Sequence, residues 1–288
     1  MGEFVEKYIN PFTDYGFKRL FGEEPNKDIL LDFLNELLKE EEGQITSLQY
    51  KRNEHLDSDL NRKAIFDIYC ENEMGEKFIV ELQKTKQNFF KDRTVYYSTF
   101  PIQEQARTGS EWNYELKAVY TIAILDFVFE EDKNEPNKFL YKVKLSDTET
   151  NKVFYDKLTF IYLEMPKFTK TVDELETHFE KWLYVIRNLN RLNSIPEKLK
   201  EATFMKVFEV AEIAKFTPEQ RTSYQDSLKY YRDLKNSLDT ASDERAESIA
   251  TTMLLNGYTA TEVSKLTGLS IERVEELGKQ VKTRGNKR

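Results

Sequence analysis

The stretch from Ala64 to Lys84, AIFDIYCENEMGEKFIVELQK, constrains the fold more than any other. Ala64 to Glu73 is mostly β-branched or aromatic, Met74-Gly75-Glu76 supplies a turn with glycine, and Lys77 to Gln83 resumes alternation, which predicts a β-hairpin. Side chains alternate across a strand, so Phe66, Ile68 and Cys70 share one face and Ile65, Asp67 and Tyr69 the other. In the partner strand Phe78, Val80 and Leu82 point one way, and Ile79, Glu81 and Gln83 the other. If the polar faces match, the hairpin sets Asp67 beside Glu81.

Two adjacent carboxylates repel, and a hard divalent cation relieves that repulsion through carboxylate, carbonyl and water oxygens. Such an ion lowers the pKa of a bound water and neutralises charge developing on a phosphoryl oxygen, as phosphodiester hydrolysis requires. Gln83, on the same face, is then the residue to position the attacking water. The spacing equally describes two solvated acids on the open face of a half-covered sheet, and spacing alone favours that reading.

Three segments in order resemble a known family. They are Asn10-Pro11-Phe12-Thr13-Asp14-Tyr15-Gly16-Phe17-Lys18-Arg19-Leu20-Phe21, then Asp67 with Glu81-Leu82-Gln83, then Leu163-Glu164-Met165-Pro166-Lys167-Phe168. Together they resemble the PD-(D/E)XK nucleases, and more narrowly the recombination-promoting nuclease and putative transposase group, over most of the chain. The resemblance implies an α/β, restriction-endonuclease-like core with a mixed β-sheet flanked by helices. It also implies a divalent-metal-dependent DNA endonuclease linked to recombination or mobile-element biology. Asp67, Glu81 and the main-chain carbonyl of Leu82 would hold Mg²⁺ or another divalent cation such as Mn²⁺, and Gln83 would occupy the place of the signature lysine. Phe66 stands where the superfamily often has proline. Gln83 lacks the lysine's charge, so it cannot stabilise a phosphorane or activate water in the same way, although glutamine does occur there in the narrower group.

At 288 residues and 39% hydrophobic content the chain can bury one large core or two modest ones. No apolar run approaches the roughly 20 residues that span a bilayer. The segment MGEFVEKYIN lacks the regions of a secretion signal, and Cys70 has no second cysteine to pair with, so a reducing cytoplasm is the expected location. A formal net charge of −8 argues against a general nucleic-acid coating protein but leaves room for a local basic groove. Lys84, Lys86, Lys91 and Arg93 follow directly on the hairpin, with Phe89, Phe90, Tyr96 and Tyr97 interleaved or adjacent. These residues read either as DNA contacts along a phosphate-gripping edge or as a charged strand-to-helix connection with its aromatics in the core.

Along the chain, Thr13 or Asp14 caps a short helix carrying Phe17, Leu20 and Phe21, and Gly22 ends it. Asn26 to Lys39 has helical spacing in Ile29, Leu30, Phe33, Leu34, Leu37 and Leu38, with Glu36 on the solvated side. Gln44 to Asn53 reads as a strand, and the polar stretch Glu54 to Lys63, with His55, Asp57 and Asp59, as solvated loop rather than ligand cluster. A helix over Phe89 to Gln105 is kinked or ended by Pro101, and strands follow over Leu116 to Phe129, Phe139 to Leu145 and Val153 to Leu163. The order helix, three strands, helix, strand is the one the resemblance implies, and it gives an α/β sandwich.

From Asp173 the pattern is helical, over Leu175 to Leu192, Pro196 to Phe216 and Pro218 to Leu238. Trp182, Leu183, Val185 and Ile186 read as core, and His178 has no visible catalytic partner. Asp239 to Asp243 reads as a hinge or as part of a helix continuing to Leu255. Ala246 to Leu255, Thr259 with Glu262, Gly268 and Ser270 outline a helix-turn-helix. Its third helix sets Glu272, Glu275 and Glu276 against Arg273 and Lys279, a poor charge balance for a DNA groove, and only the tail from Lys282 is distinctly basic. Packing or oligomerisation is favoured there over base reading. The expected organisation is a nuclease-like domain over 1–170, a helical extension over 171–240 and the helix-turn-helix-like or oligomerisation segment over 241–288. DNA is the expected partner, and a homodimer would bring two active sites to two strands. The rival function is a catalytically weak or inactive DNA-binding and oligomerisation protein that works through its C-terminal helices.

Overall fold

The computed structural model describes residues 6–41, 43–51, 54–55, 64–106 and 113–285, without the side chains of 54, 55, 64 and 281–285. The candidate ligands of the Glu54 to Lys63 stretch lie outside it, as do the side chains of the basic tail. By its internal contacts the chain divides into Met1–Leu228 and Lys229–Arg288.

The first unit opens with a tight cap. Asn10 turns its Oδ1 onto the Phe12 N–H at 2.9 Å, and its carbonyl accepts Thr13 Oγ1 at 2.7 Å. Thr13, not Asp14, is the N-cap of α1 (Asp14–Phe21), accepting the Gly16 N–H at 2.9 Å. A Cβ on Gly16 would stand 2.2 Å from the Asn10 carbonyl oxygen, so this position excludes every larger residue. Much of the NPFTDYGF signature is therefore the geometry of one helix start. The next helix, α2 (Lys27–Leu37), buries Ile29, Leu30, Phe33, Leu34 and Leu37, the face its periodicity predicts.

Strands β1 (Leu48–Tyr50), β4 (Ile68–Asn72), β5 (Lys77–Gln83), β6 (Val119–Leu125), β7 (Leu140–Ser146) and β8 (Val153–Glu164) form one sheet in the order β1-β4-β5-β6-β8-β7. β2 (Glu54–His55) and β3 (Ala64–Ile65) form a separate two-stranded ribbon. β5/β6 and β6/β8 are parallel and the other pairs antiparallel, so the sheet is mixed. All seven residues of β6 are buried, as expected of a central strand between parallel neighbours with both faces covered. Helix α3 (Phe90–Gln103) makes the β5-to-β6 crossover. It runs through Pro101 and closes with the Glu104 N–H on the Phe100 carbonyl at 2.9 Å, so proline near its end neither stops nor ends it. This is the restriction-endonuclease-like α/β fold that the resemblance implies.

Helices α4 (His178–Asn188) and α5 (Ala202–Ala211) complete the first unit beside α1 and α2. Trp182 is fully buried against Phe21, Phe33 and Phe204. Helix α6 (Pro218–Leu255) is one uninterrupted helix, so Asp239 to Asp243 is helical rather than a hinge. With no Gly or Pro between Pro218 and Gly257, nothing in that span breaks it.

In the second unit α7 (Ala260–Thr267) and α8 (Ile271–Gly285) pack on the end of α6 around Ala250, Val263, Val274 and Leu277. Thr259 and Glu262 form the expected capping box, Gly268 takes the left-handed conformation at φ +76°, and Ser270 Oγ accepts the Arg273 N–H at 3.2 Å.

Candidate active site

The hairpin forms, but its first strand is split. The Ala64 to Glu73 run bends at Asp67, where β3 has left for its ribbon with β2 and β4 has yet to begin. Strict alternation therefore fails at Phe66. It joins Tyr69, Ile79 and Phe100 in one aromatic cluster instead of sharing a face with Ile68 and Cys70. Beyond the bend the register Ile68↔Val80, Tyr69↔Ile79, Cys70↔Phe78 is the one the polar-face match requires. The turn takes Gly75 at φ +83°, a conformation that only glycine adopts freely.

The bend locks Asp67 and Glu81 together. The Asp67 N–H donates to Glu81 Oε1 at 3.1 Å, and Asp67 Oδ2 accepts the Leu82 N–H at 2.8 Å. Glu81 keeps only 6% of its surface exposed, and Asp67 is partly buried. Burial, and then the Asp67 charge, push the Glu81 carboxyl well above the usual carboxylate range. Burial also raises Asp67, opposed by the Leu82 hydrogen bond. Two desolvated carboxylates held this close form a site that a cation would relieve.

The Leu82 carbonyl faces the same place. On the β6 side the Gln83 carbonyl accepts the Asp126 N–H at 2.9 Å. Successive carbonyls point to opposite edges of a strand, so the Leu82 carbonyl points to the edge where Asp67 lies. Among the described residues no three His, Cys, Asp or Glu side chains gather as metal ligands. Two carboxylates and a carbonyl, with water completing the shell, nonetheless suit Mg²⁺, which commonly uses only one or two protein carboxylates.

Gln83 is engaged at both ends of its amide. Its Nε2 donates to the Thr85 carbonyl at 2.8 Å, and its Oε1 accepts Arg93 Nη2 at 2.6 Å. Of the four expected DNA contacts, Arg93 thus stands beside the site through Gln83. Lys84 is half-buried after β5, close enough to Asp14 and Asp67 for both to act on its charge. Lys86 and Lys91 instead pair with Glu130 and Glu131 at 3.6 and 2.7 Å, and Lys91 lies 4.5 Å above the Phe129 ring.

Other residues gain partners that the sequence hid. Asp14 and Lys18 on α1 act electrostatically on Asp67, which places that helix start at the hairpin. His178 does have partners, with Nε2 2.7 Å from Asp32 and Nδ1 2.8 Å from Glu201. Asp32 also accepts from Trp182 Nε1 at 2.6 Å and Thr203 at 3.0 Å, so this cluster ties α2 to α4 and α5. Glu36 pairs with Lys39 at 4.0 Å and lines the cavity beside His178. The third signature segment is structural: Glu164, fully buried, accepts the Phe129 N–H at 2.6 Å and pairs with Lys167 at 2.6 Å. Arg187 donates to the Met165, Pro166 and Phe168 carbonyls around it.

No curated protein and no solved structure gives a significant match to the chain. A family model described as PD-(D/E)XK nuclease family transposase matches residues 11–241. That span takes in the three signature segments, apart from Asn10 at the start of the first, and the whole six-stranded sheet. The chain therefore belongs to the family of PD-(D/E)XK nuclease family transposases.

Proposed function

We propose that this protein hydrolyses phosphodiester bonds in DNA as a divalent-metal-dependent endonuclease, with Asp67 and Glu81 as its metal-binding carboxylates. The observation that carries the reading is the interlocked pair: two desolvated carboxylates, each held by a hydrogen bond to the segment that carries the other, with the Asp67 charge acting on Glu81. Asp67, Glu81 and the Leu82 carbonyl would hold Mg²⁺ or another divalent cation such as Mn²⁺. When bound, such an ion supplies an acidified water and neutralises charge on the phosphoryl oxygens.

The chain's own residues do the positioning. The crossed hydrogen bonds fix both carboxylates before any ligand arrives, so no side-chain freedom remains to be lost on binding. The burial of Glu81, with Tyr97 of α3 close enough for both carboxylates to act on it, limits the water that competes with the reacting groups. DNA as substrate and a part in recombination or transposition follow from the family. The rival reading, DNA binding through the C-terminal helices, has less support, because Arg273 of α8 is committed to Glu247 and Glu276 at 2.6 and 2.8 Å.

Incubating supercoiled plasmid with wild-type and Asp67→Ala protein, with Mg²⁺, Mn²⁺, Ca²⁺ or chelator, tests the proposal. Wild type should nick or linearise the plasmid only with Mg²⁺ or Mn²⁺, and the variant should lose roughly 10³-fold or more of that rate. Absence of cutting by wild type with every metal would refute it.

A further inference from the structure

We propose that Arg93, held by Gln83, is the phosphate-binding cation of this site and takes over the charge that the family's signature lysine supplies elsewhere. The inference rests on the nuclease reading of the hairpin, and it assigns Gln83 a positioning role in place of handling water.

Four observations carry it. First, the Gln83 amide is spent: one end holds the Thr85 carbonyl and the other accepts Arg93 Nη2 at 2.6 Å. Glutamine carries no charge, but its carbonyl oxygen can fix a guanidinium where a lysine at the same position would present its ammonium. Second, Arg93 comes from the first turn of α3, the helix that crosses over the site face of β5, and its charge acts directly on Glu81.

Third, Arg93 has no carboxylate partner among the described residues. Its other side-chain hydrogen bond goes to Gln87 Oε1 at 2.8 Å, another neutral amide. Its neighbours in sequence, Lys86 and Lys91, have found Glu130 and Glu131. A half-buried guanidinium held by two neutral amides is suited to a phosphodiester oxygen. Fourth, the donor inventory is incomplete. Guanidinium has five N–H groups, two of them are used, and the buried Nε finds no acceptor. The Phe90 and Tyr97 rings lie 4.9 and 5.6 Å from the guanidinium carbon and keep its plane in place while the remaining donors wait for an anion.

Two measurements test this on the full-length chain. The first is binding of a fluorescein-labelled DNA duplex in Ca²⁺ across a range of salt concentrations. Arg93→Gln should lower the slope of log affinity against log salt by about one, the mark of one lost phosphate contact. Gln83→Lys in the Arg93→Gln background should restore the slope, because it returns a cation to the same place. The second is plasmid cleavage, where Arg93→Gln should lose roughly 10²-fold in rate and the double variant should regain most of it. Arg93→Lys, which keeps charge without the two-amide hold, should fall between wild type and Arg93→Gln.

An unchanged salt slope in folded Arg93→Gln, or no rescue by Gln83→Lys, would overturn the assignment. If the wild-type chain cuts no plasmid, the nuclease reading fails, but the salt slope still decides whether Arg93 contacts phosphate.

Discussion

Two glutamates on the six-stranded sheet show how differently one residue type can be buried. Glu164 ends β8 and has no exposed surface, with Lys167 at 2.6 Å as its counter-charge and the Phe129 N–H donating to its Oε1. Glu81, two strands away in β5, is 6% exposed, and the charge facing it is another carboxylate. The chain sets a buried lysine against the first glutamate and another carboxylate against the second. An internal ion pair fixes structure, whereas a desolvated pair of like charges stores binding potential for a cation from outside.

The largest test of that contrast breaks the satisfied partner. Lys167→Met leaves Glu164 buried without its cation and should cost about 3–5 kcal/mol of stability by urea unfolding. Replacing both residues, Glu164→Leu with Lys167→Met, should recover most of it, because well-packed apolar groups replace a buried ion pair at little cost. If Lys167→Met alone were neutral, the comparison would collapse.

Glu81 should behave in the opposite sense. Its folded-state pKa is pushed up to about 8 from an ordinary 4.5, so the folded chain holds a proton that the unfolded chain releases. That group's contribution is fully present below about 4.5 and is lost as pH rises through about 8. In chelator, wild-type stability should therefore fall across this window by on the order of 1–3 kcal/mol. Glu81→Gln, which mimics the protonated form, should flatten the profile and raise stability at the alkaline end. Thermal melts at stepped pH give the answer, and a profile unchanged by the substitution would show that Glu81 carries no such strain.

The smallest effect belongs to the surface pair Lys91 with Glu131, which has similar separation to the buried one, 2.7 Å, but lies in solvent. Glu131→Gln should change stability by no more than about 0.5 kcal/mol, as a difference in urea midpoint would show. A larger loss would mean that distance, rather than burial, governs these pairs.

What could be read from the sequence was local. The Met74-Gly75 turn, the polar-face match of Asp67 with Glu81, the α2 stripe and the Thr259 capping box depend on neighbours a few residues apart, and their patterns are written in the chain. The bend at Asp67 was hidden because the run Ala64 to Glu73 alternates well enough to pass for one strand, and only the separate β2–β3 ribbon breaks it. The partners of Gln83, His178 and Glu164 were hidden for another reason. Arg93 reaches Gln83 only because α3 folds back across β5, and Asp32 lies 146 residues from His178. Polar groups pair wherever the packed backbone brings them, and no periodicity records that. The order of β8 between β6 and β7 is likewise set by the packing of parallel strands, not by spacing.

The cap at the start of α1 carries a consequence for biosynthesis. The Ile9 N–H binds the Ala211 carbonyl at 3.0 Å and the Asn10 N–H binds the Tyr224 hydroxyl at 2.9 Å, so the segment leading to Asp14 and Lys18 is anchored by residues from the far end of the first unit. A ribosome makes the hairpin early, yet these anchors come only after Tyr224 has emerged. Until then the nascent chain carries its paired carboxylates without the full set of anchors for the helix start that flanks them, and a chain released before α6 would keep the Ala211 contact but lack the Tyr224 one.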